Sequence, residues 1–320
     1  MSAAVLVIAE TRDGVVTPLT RELLGLAREI QAEVGVVSLL FARTDAAAKD
    51  LIAHGADRVY WCEGAEDYDA ALWLPAAEQV AREAAPDVIV AGHTHSGAEL
   101  AARLAFRLEG AVATGCTGIA REDGKLLFTR ACYGGNVRET VSFAAAPALA
   151  TVKAGIGEPR RDDTRRGEIV MLAAPPVDAR TRVVARERES AGPSRLEDAR
   201  VIVAGGRGLE GPEGFGVIKA LADQLGGTVG ASRVPCDLGW CPHSWQIGLT
   251  GKTVTPDLYI AVGISGAGHH LAGCGNSKTI VAINSDPDAA IFREARFGVV
   301  GDYREVMPEL AKAIAALKAQ

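Results

Sequence analysis

The sequence predicts an α/β fold in two domains, an N-terminal α/β domain with a β-rich extension and a C-terminal doubly wound parallel sheet. Three observations predict it. Short β-branched runs alternate with longer Ala- and Leu-rich amphipathic stretches, the pattern of parallel-sheet proteins. That alternation is interrupted once by charged, turn-forming sequence and then restarts. The length, 320 residues, is enough for about two domains. Hydrophobic residues at 48% and charged residues at 23% supply material for two packed cores and exclude extensive disorder.

In chain order, strands are expected at Val5–Ala9, Val34–Phe41, Arg58–Cys62 and Asp87–Ala91, and helices at Pro18–Glu33, Ala46–His54, Ala70–Ala85 and Ala98–Leu108. Pro18 suits a first helical turn, where its missing N–H costs nothing. After Gly110 the segments 114–119, 125–131, 136–143 and 148–152 read as β-rich, with turns at Glu122-Asp123-Gly124 and Tyr133-Gly134-Gly135. Ala174-Pro175-Pro176, the mixed-charge run 180–189 and Ser190-Ala191-Gly192-Pro193-Ser194 then mark a boundary near residue 190. The expected domains are 1–190 and 195–320. In the second, strands are expected at Val201–Ala204, Leu258–Val262, Thr279–Asn284 and Gly298–Val300, and helices at Glu213–Leu225 and Tyr303–Lys318.

A net charge of −6 argues against a nucleic-acid partner, which calls for a basic surface. No apolar run reaches the ~20 residues of a membrane helix. The start of the chain has neither the basic segment nor the cleavage site of a signal peptide, so a cytoplasmic location is expected. The six cysteines form no paired CxxC knuckles, and free thiols are expected.

Ligands of open parallel sheets sit beyond the carboxyl ends of the strands. Three strand-end loops of the second half, 205–208, 263–268 and 284–286, carry Gly, Ser or Asn. Glycines there let backbone N–H groups approach a phosphate, and Arg207 supplies a guanidinium. The spacing is neither GxGxxG nor GxxxxGK[ST], so neither a dinucleotide fingerprint nor a P-loop is present. Two polar, Gly-rich stretches, 230–233 and 246–252, read as loops rich in hydrogen-bond donors, the kind a flavin ring uses at N5, O4 and O2. His269-His270 stands at a helix start nearby.

These pieces together resemble the FAD domain of the electron transfer flavoprotein alpha subunit family. The resemblance is carried by Gly205-Gly206-Arg207-Gly208, Leu221-Ala222-Asp223-Gln224-Leu225, Val229-Gly230-Ala231-Ser232-Arg233 and Thr250-Gly251-Lys252. It continues through residues 256–267, His270-Leu271-Ala272-Gly273, residues 277–284 and Asp302. A looser likeness, in Phe128-Thr129-Arg130, Tyr133-Gly134-Gly135-Asn136 and Ala150-Thr151-Val152-Lys153, extends it over most of the first half.

The resemblance implies noncovalent FAD, held by Arg207, Gly208, Ser232, Arg233, Gln246, Thr250, Gly251, Ser265, Gly266, His270, Asn284 and Asp302. Arg233 would lie over the ring and favour its reduced forms, Thr250 would meet N5, and His270 would meet O2. Arg207, Ser232, Ser265 and Gly266 would surround the phosphates and ribityl chain, with Asn284 and Asp302 at the adenosine end. It further implies an electron carrier with no catalytic residue and no metal. The carrier would pair with a beta subunit holding AMP or a second FAD. Its redox partners would be a flavoprotein dehydrogenase, such as an acyl-CoA dehydrogenase, and a quinone-linked oxidoreductase. Two other readings stay open from the residues, a flavin-free nucleotide-binding or structural paralogue and a self-contained FAD oxidoreductase using His269.

Other features invite a site. His93-Thr94-His95 with Glu99 has no clear third ligand and reads as loop packing. Asp162-Asp163 and Asp286-x-Asp288 read as turn formers rather than cation ligands. Cys274 reads as a buried, inert thiol. The aromatic stretch Trp240-Cys241-Pro242-His243-Ser244-Trp245 fits either a cover over the ring or filler beneath a loop.

The chain departs from the family pattern at Leu249, where Gln is usual, and at Gly268-His269, where Ile-Gln is usual. Losing a polar group beside the ring shifts its potential. Potentiometric titration of wild type against Leu249→Gln is expected to give different flavin midpoints; coincident midpoints would contradict this.

Overall fold

The structure, a computed structural model, describes residues 5–31, 35–42, 44–63, 67–133, 137–175, 184 and 195–318. The expected boundary near residue 190, and residues Gly134, Gly135 and Asn136 of an expected turn and strand, lie outside the described residues. The chain divides into two compact units, Met1–Cys132 with Val137–Ala185, and Arg186–Gln320 with Tyr133–Asn136.

The first unit opens with β1 (Val5–Ala9), the small hairpin β2 (Thr11–Arg12) and β3 (Val15–Val16), and helix α1 (Pro18–Ile30). Pro18 does occupy the first turn of α1, and Thr17 caps it by accepting from the Thr20 N–H at 3.2 Å. β4 (Val36–Ala42), α2 (Ala46–Ala53), β5 (Arg58–Glu63), α3 (Ala70–Ala84), β6 (Val88–Gly92) and α4 (His95–Arg107) continue the alternation. The β-rich extension follows as β7 (Ala111–Glu122), β8 (Lys125–Cys132), β9 (Val137–Val141), β10 (Ala148–Val152) and β11 (Glu168–Leu172).

The sheet order is β11-β5-β4-β1-β6-β10-β7-β8-β9, parallel from β11 to β7 and antiparallel through β8 and β9. Successive residues of β1 point to opposite faces. Val5 and Val7 join the core beneath α1 and α2, while Leu6 and Ile8 join the core beneath α3 and α4. Phe41 stacks on Trp73 in the second core, with centroids 4.1 Å apart. β11 is not expected from the sequence. It is a short edge strand ordered by pairing with β5.

The second unit comprises β12 (Val201–Gly205), α5 (Gly214–Leu225), β13 (Thr228–Ala231), α6 (Arg233–Asp237), β14 (Leu258–Val262), α7 (Gly268–Cys274), β15 (Ile280–Asn284), β16 (Phe297–Val300) and α8 (Tyr303–Lys318). All five strands are parallel, in the order β13-β12-β14-β15-β16. The expected loop at 230–233 is instead the end of β13 and the start of α6. Ile202 and Tyr259 face one core, and Val203 and Ile260 face the other. The order reverses between β12 and β14, which opens a crevice at their carboxyl ends.

That crevice rests on close backbone packing. A Cβ on Gly206 would lie 2.2 Å from the Gly263 carbonyl oxygen, and one on Gly208 would lie 2.8 Å from Gly263 Cα. Gly263 has φ +61°, a left-handed conformation that glycine adopts without cost. The exposed Gly216 in α5, by contrast, has nothing within 4 Å of its missing Cβ. Gly206→Ala is therefore expected to lower stability by ~1–3 kcal/mol. Gly216→Ala is expected to raise it by ~0.4–1 kcal/mol. Denaturant midpoints of the two variants should move in opposite directions.

Candidate functional site

A cleft of about 1030 Å³ lies at the carboxyl ends of β12, β13, β14 and β15. Of the expected binding residues, Arg207, Gly208, Ser232, Arg233, Gln246, Thr250, Ser265, His270 and Asn284 line it. Leu238, Trp240, Leu249 and Ile264 give it apolar wall. The guanidinium of Arg207, the hydroxyl of Ser265 and the ring of His269 have no hydrogen-bond or ion-pair partner among the described residues. They leave donors turned to the cleft, a setting suited to an anionic or carbonyl-rich ligand.

The glycine turn after β12 does not work as expected. The Gly206 N–H donates to the Val262 carbonyl at 2.9 Å, and the Gly208 N–H donates to Gly263 at 3.0 Å. Both donors are engaged between strands, so these glycines serve close approach of the two loops rather than a phosphate. Asn284 is engaged similarly. Its Nδ2 donates to the Ile264 carbonyl at 2.9 Å and its Oδ1 accepts from the Asp286 N–H at 3.0 Å.

The stretch 246–252 is a stitched loop. Ile247 N–H donates to Ala231, Lys252 N–H to Gln246 and Gly248 N–H to Lys252, at 2.8–3.1 Å. A Cβ on Gly251 would sit 2.5 Å from the Gln246 carbonyl, so Gly251 shapes the loop without lining the cleft. The buried Gln246 amide donates to Thr250 Oγ1 at 3.0 Å. That leaves the Thr250 hydroxyl hydrogen for an acceptor in the cleft. Arg233, at the start of α6, pairs with Asp237 at 3.0 Å in an exposed i,i+4 contact, which tempers its charge.

His270 is buried. Its Nδ1–H donates to the Ile247 carbonyl at 3.1 Å, and its Nε2 accepts from the Tyr259 hydroxyl at 2.9 Å. Burial pushes its pKa down to about 4, so the ring is neutral at physiological pH. Both ring nitrogens of His270 are thus engaged within the fold, although the residue lines the cleft. The exposed His269 is the imidazole whose ring nitrogens have no partner among the described residues.

Two further expected residues stand outside the cleft. Gly266, at φ +81°, is pressed against the Ile291 backbone. Asp302 borders a small adjoining hollow with Glu210 and Asn284, and Arg304 ties it to Glu210 at 3.2 and 2.6 Å. Sequence reasoning missed Leu238 and Ile264, since an apolar residue at a cleft looks like any core residue until the fold is known. The aromatic stretch splits. Trp240 lines the cleft, while Trp245 packs on Phe215 at 5.9 Å.

The remaining candidates have local partners. His93 Nδ1 bonds Thr151 Oγ1 at 2.8 Å, and Asp162 and Asp286 accept from the N–H groups of Thr164 and Asp288 in turns. Burial raises the Cys274 thiol to about 12. Among the described residues, no helix is long and apolar enough to cross a membrane.

The chain matches the electron transfer flavoprotein domain over residues 5–177 and the electron transfer flavoprotein FAD-binding domain over 195–275. It is 43% identical to an electron transfer flavoprotein subunit alpha of Thermoanaerobacterium thermosaccharolyticum over 98% of each chain. It is 39% identical to that of Bacillus subtilis, over 98% of this chain and 97% of the relative. It is 38% identical to that of Mycobacterium tuberculosis, over 99% of each.

The neutral, buried His270 makes stability depend on pH. An unfolded histidine binds a proton below about 6.5 and this one binds it only below about 4. Stability is therefore full above pH 6.5 and is lost as pH falls toward 4, with a slope of ~1.4 kcal/mol per unit. Glu10 and Glu22, whose carboxyl pKa values burial raises, act in the opposite direction. Comparing urea midpoints of wild type and His270→Asn at pH 7 and pH 5 isolates the histidine. The wild type is expected to lose more stability on acidification than the variant.

Proposed function

The chain belongs to the electron transfer flavoprotein alpha-subunit family, and from that premise we propose that it binds FAD noncovalently in this cleft and carries electrons between protein partners. The observation that carries the reading is the convergence of unpaired donors, Arg207, Ser265 and His269, with an apolar wall, at the switch point of the FAD-binding segment. A cleft of about 1030 Å³ suits a large cofactor. The two carboxylates at its edge, Glu210 and Asp286, are already engaged by Arg304 and by the Asp288 N–H. Arg304 offsets the charge of Glu210, and the Asp288 N–H orients Asp286, which keeps its own charge.

Bound FAD would supply one- and two-electron redox chemistry. The chain's residues hold and polarise. Arg207, Ser232 and Ser265 supply donors to the diphosphate and its linker. Thr250, oriented by Gln246, presents a hydroxyl hydrogen. Arg233 places positive charge beside the cleft, where it favours a ligand that gains negative charge. Leu238, Trp240 and Leu249 exclude water from one side. In this reading the first domain, 1–190, supplies the interface to a beta subunit that holds AMP or a second FAD. The electron donor is a flavoprotein dehydrogenase of the acyl-CoA dehydrogenase kind, and the acceptor is a quinone-linked oxidoreductase. Outer-sphere transfer needs no general base.

Co-purification with the beta subunit, with extracted flavin counted per heterodimer, tests the proposal. One FAD supports a simple carrier, and two support a pair with flavin in both chains. An intact heterodimer that takes up no flavin would overturn it. The Arg233–Asp237 pair adds a test by sign. Arg233→Ala is expected to lower the flavin midpoint by ~40 mV, about 1 kcal/mol per electron, and Asp237→Asn to raise it.

A further inference from the structure

We propose that Cys236 and Cys241 form a dithiol that a small peroxide converts to a disulfide, and that this bond moves the wall of the cleft. The two sulfurs lie 3.5 Å apart and both residues are buried. A disulfide needs about 2.05 Å, so each sulfur moves by about 0.7 Å. The backbone between them is already folded into a tight turn. Gly239 N–H donates to the Cys236 carbonyl at 3.0 Å, Trp240 N–H donates to Pro235 at 2.9 Å, and Gly239 has φ +71°.

The pair is built into the site. Cys236 lies on α6, one helical turn beyond Arg233. The residues between the cysteines include Leu238 and Trp240, which line the cleft. Drawing the sulfurs together tightens this turn and shifts those two side chains. The other thiols lack a partner of this kind. Cys62, Cys116 and Cys274 are buried, each with its thiol pKa raised by burial. Among the described residues no group of three His, Cys, Asp or Glu stands together for a metal, so the pair is not part of such a site.

The roles of the two sulfurs differ. Cys236 donates to the Pro242 carbonyl at 3.6 Å and accepts from the Cys241 thiol. The accepted bond favours the Cys236 thiolate, while Cys241 is pushed up. Cys236 attacks one peroxide oxygen, the O–O bond breaks, and a sulfenic acid and water form. The Cys241 sulfur then attacks the sulfenic sulfur and releases a second water. Two thiols lose two electrons and two hydrogens, and one peroxide becomes two waters.

The dithiol itself is independent of the cofactor reading; its effect on FAD rests on that reading. The test uses the full chain in a Cys132→Ser background, which removes the partly exposed thiol. The protein is treated with hydrogen peroxide, alkylated under denaturing conditions and mapped by mass spectrometry. The expected result is a mass loss of about 2 Da with a Cys236–Cys241 cross-linked peptide, reversed by dithiothreitol. A change in tryptophan fluorescence should accompany it. FAD titration of both forms should show about tenfold weaker binding by the oxidised chain. Peroxide that leaves both thiols alkylatable, or yields only higher oxides, overturns the dithiol. A cross-link with unchanged fluorescence and unchanged FAD affinity overturns the movement of the wall. FAD binding to neither form, with the cross-link present, counts against the function proposed above and leaves the dithiol standing. Cys241→Ser should give a sulfenic acid at Cys236 that a dimedone probe traps; no adduct overturns the assigned order of attack.

Discussion

The second unit depends on one contact, the pressing of Gly206 and Gly208 against Gly263 at the ends of neighbouring parallel strands. A reversal of strand order leaves a crevice wherever two adjacent strands send their chains to opposite sides. Whether that crevice becomes a shaped cleft depends on how close the two loops come. Here they meet backbone to backbone, closer than any Cβ permits. Two N–H groups that would otherwise be unpaired find carbonyls across the gap. The floor of the cleft is thereby fixed, and the side chains of Arg207 and Ser265 rise from loops whose own backbone is locked.

The same logic governs the wall formed by loop 246–252. A segment without helix or strand is rigid only if its backbone donors and acceptors are satisfied locally. This one pairs with β13 on one side, with itself in the middle, and with α7 through Leu249 N–H to His269 at 2.7 Å, and just beyond it Val254 N–H donates to Gly273 at 2.7 Å. The Tyr259–His270–Ile247 chain adds a buried link from β14 through α7 to the loop. Low dielectric strengthens these bonds and makes any unpaired member costly, so the arrangement resists partial loosening.

The alternation of strand and helix and the order of elements were legible in the sequence, because hydrophobic periodicity and turn chemistry are local; the individual binding residues expected in the cleft came from the family resemblance, and nine of them line it. What was not legible depended on neighbours. β13 is only four residues and contains Gly230, so it reads as loop until β12 pairs with it. β11 likewise exists through β5. The N–H groups of Gly206 and Gly208 suggest a phosphate cradle only while the adjacent strand is unknown, and β14 supplies their acceptors. His270 and Asn284 are polar residues at strand or helix ends, the pattern of ligand contacts, yet their polar atoms complete hydrogen bonds within the fold. The donors left over, rather than the polar residues as such, mark the cleft.

That distinction bears on what an electron carrier requires. A group that stabilises charge without reorganising must be held in place before the charge arrives. Side chains tied at one end and open at the other meet that requirement better than free ones. Thr250, held through its oxygen by Gln246, has a hydroxyl hydrogen whose direction is set in advance. Arg233, tethered to Asp237, keeps its position on α6 at the expense of some of its field. Arg207 is the opposite case, an open cation on a rigid turn, which the proposed reading sets against a diphosphate. Under the proposed reading the two kinds of side chain would divide the work, tethered groups beside the ring that gains charge and the open cation beside the diphosphate.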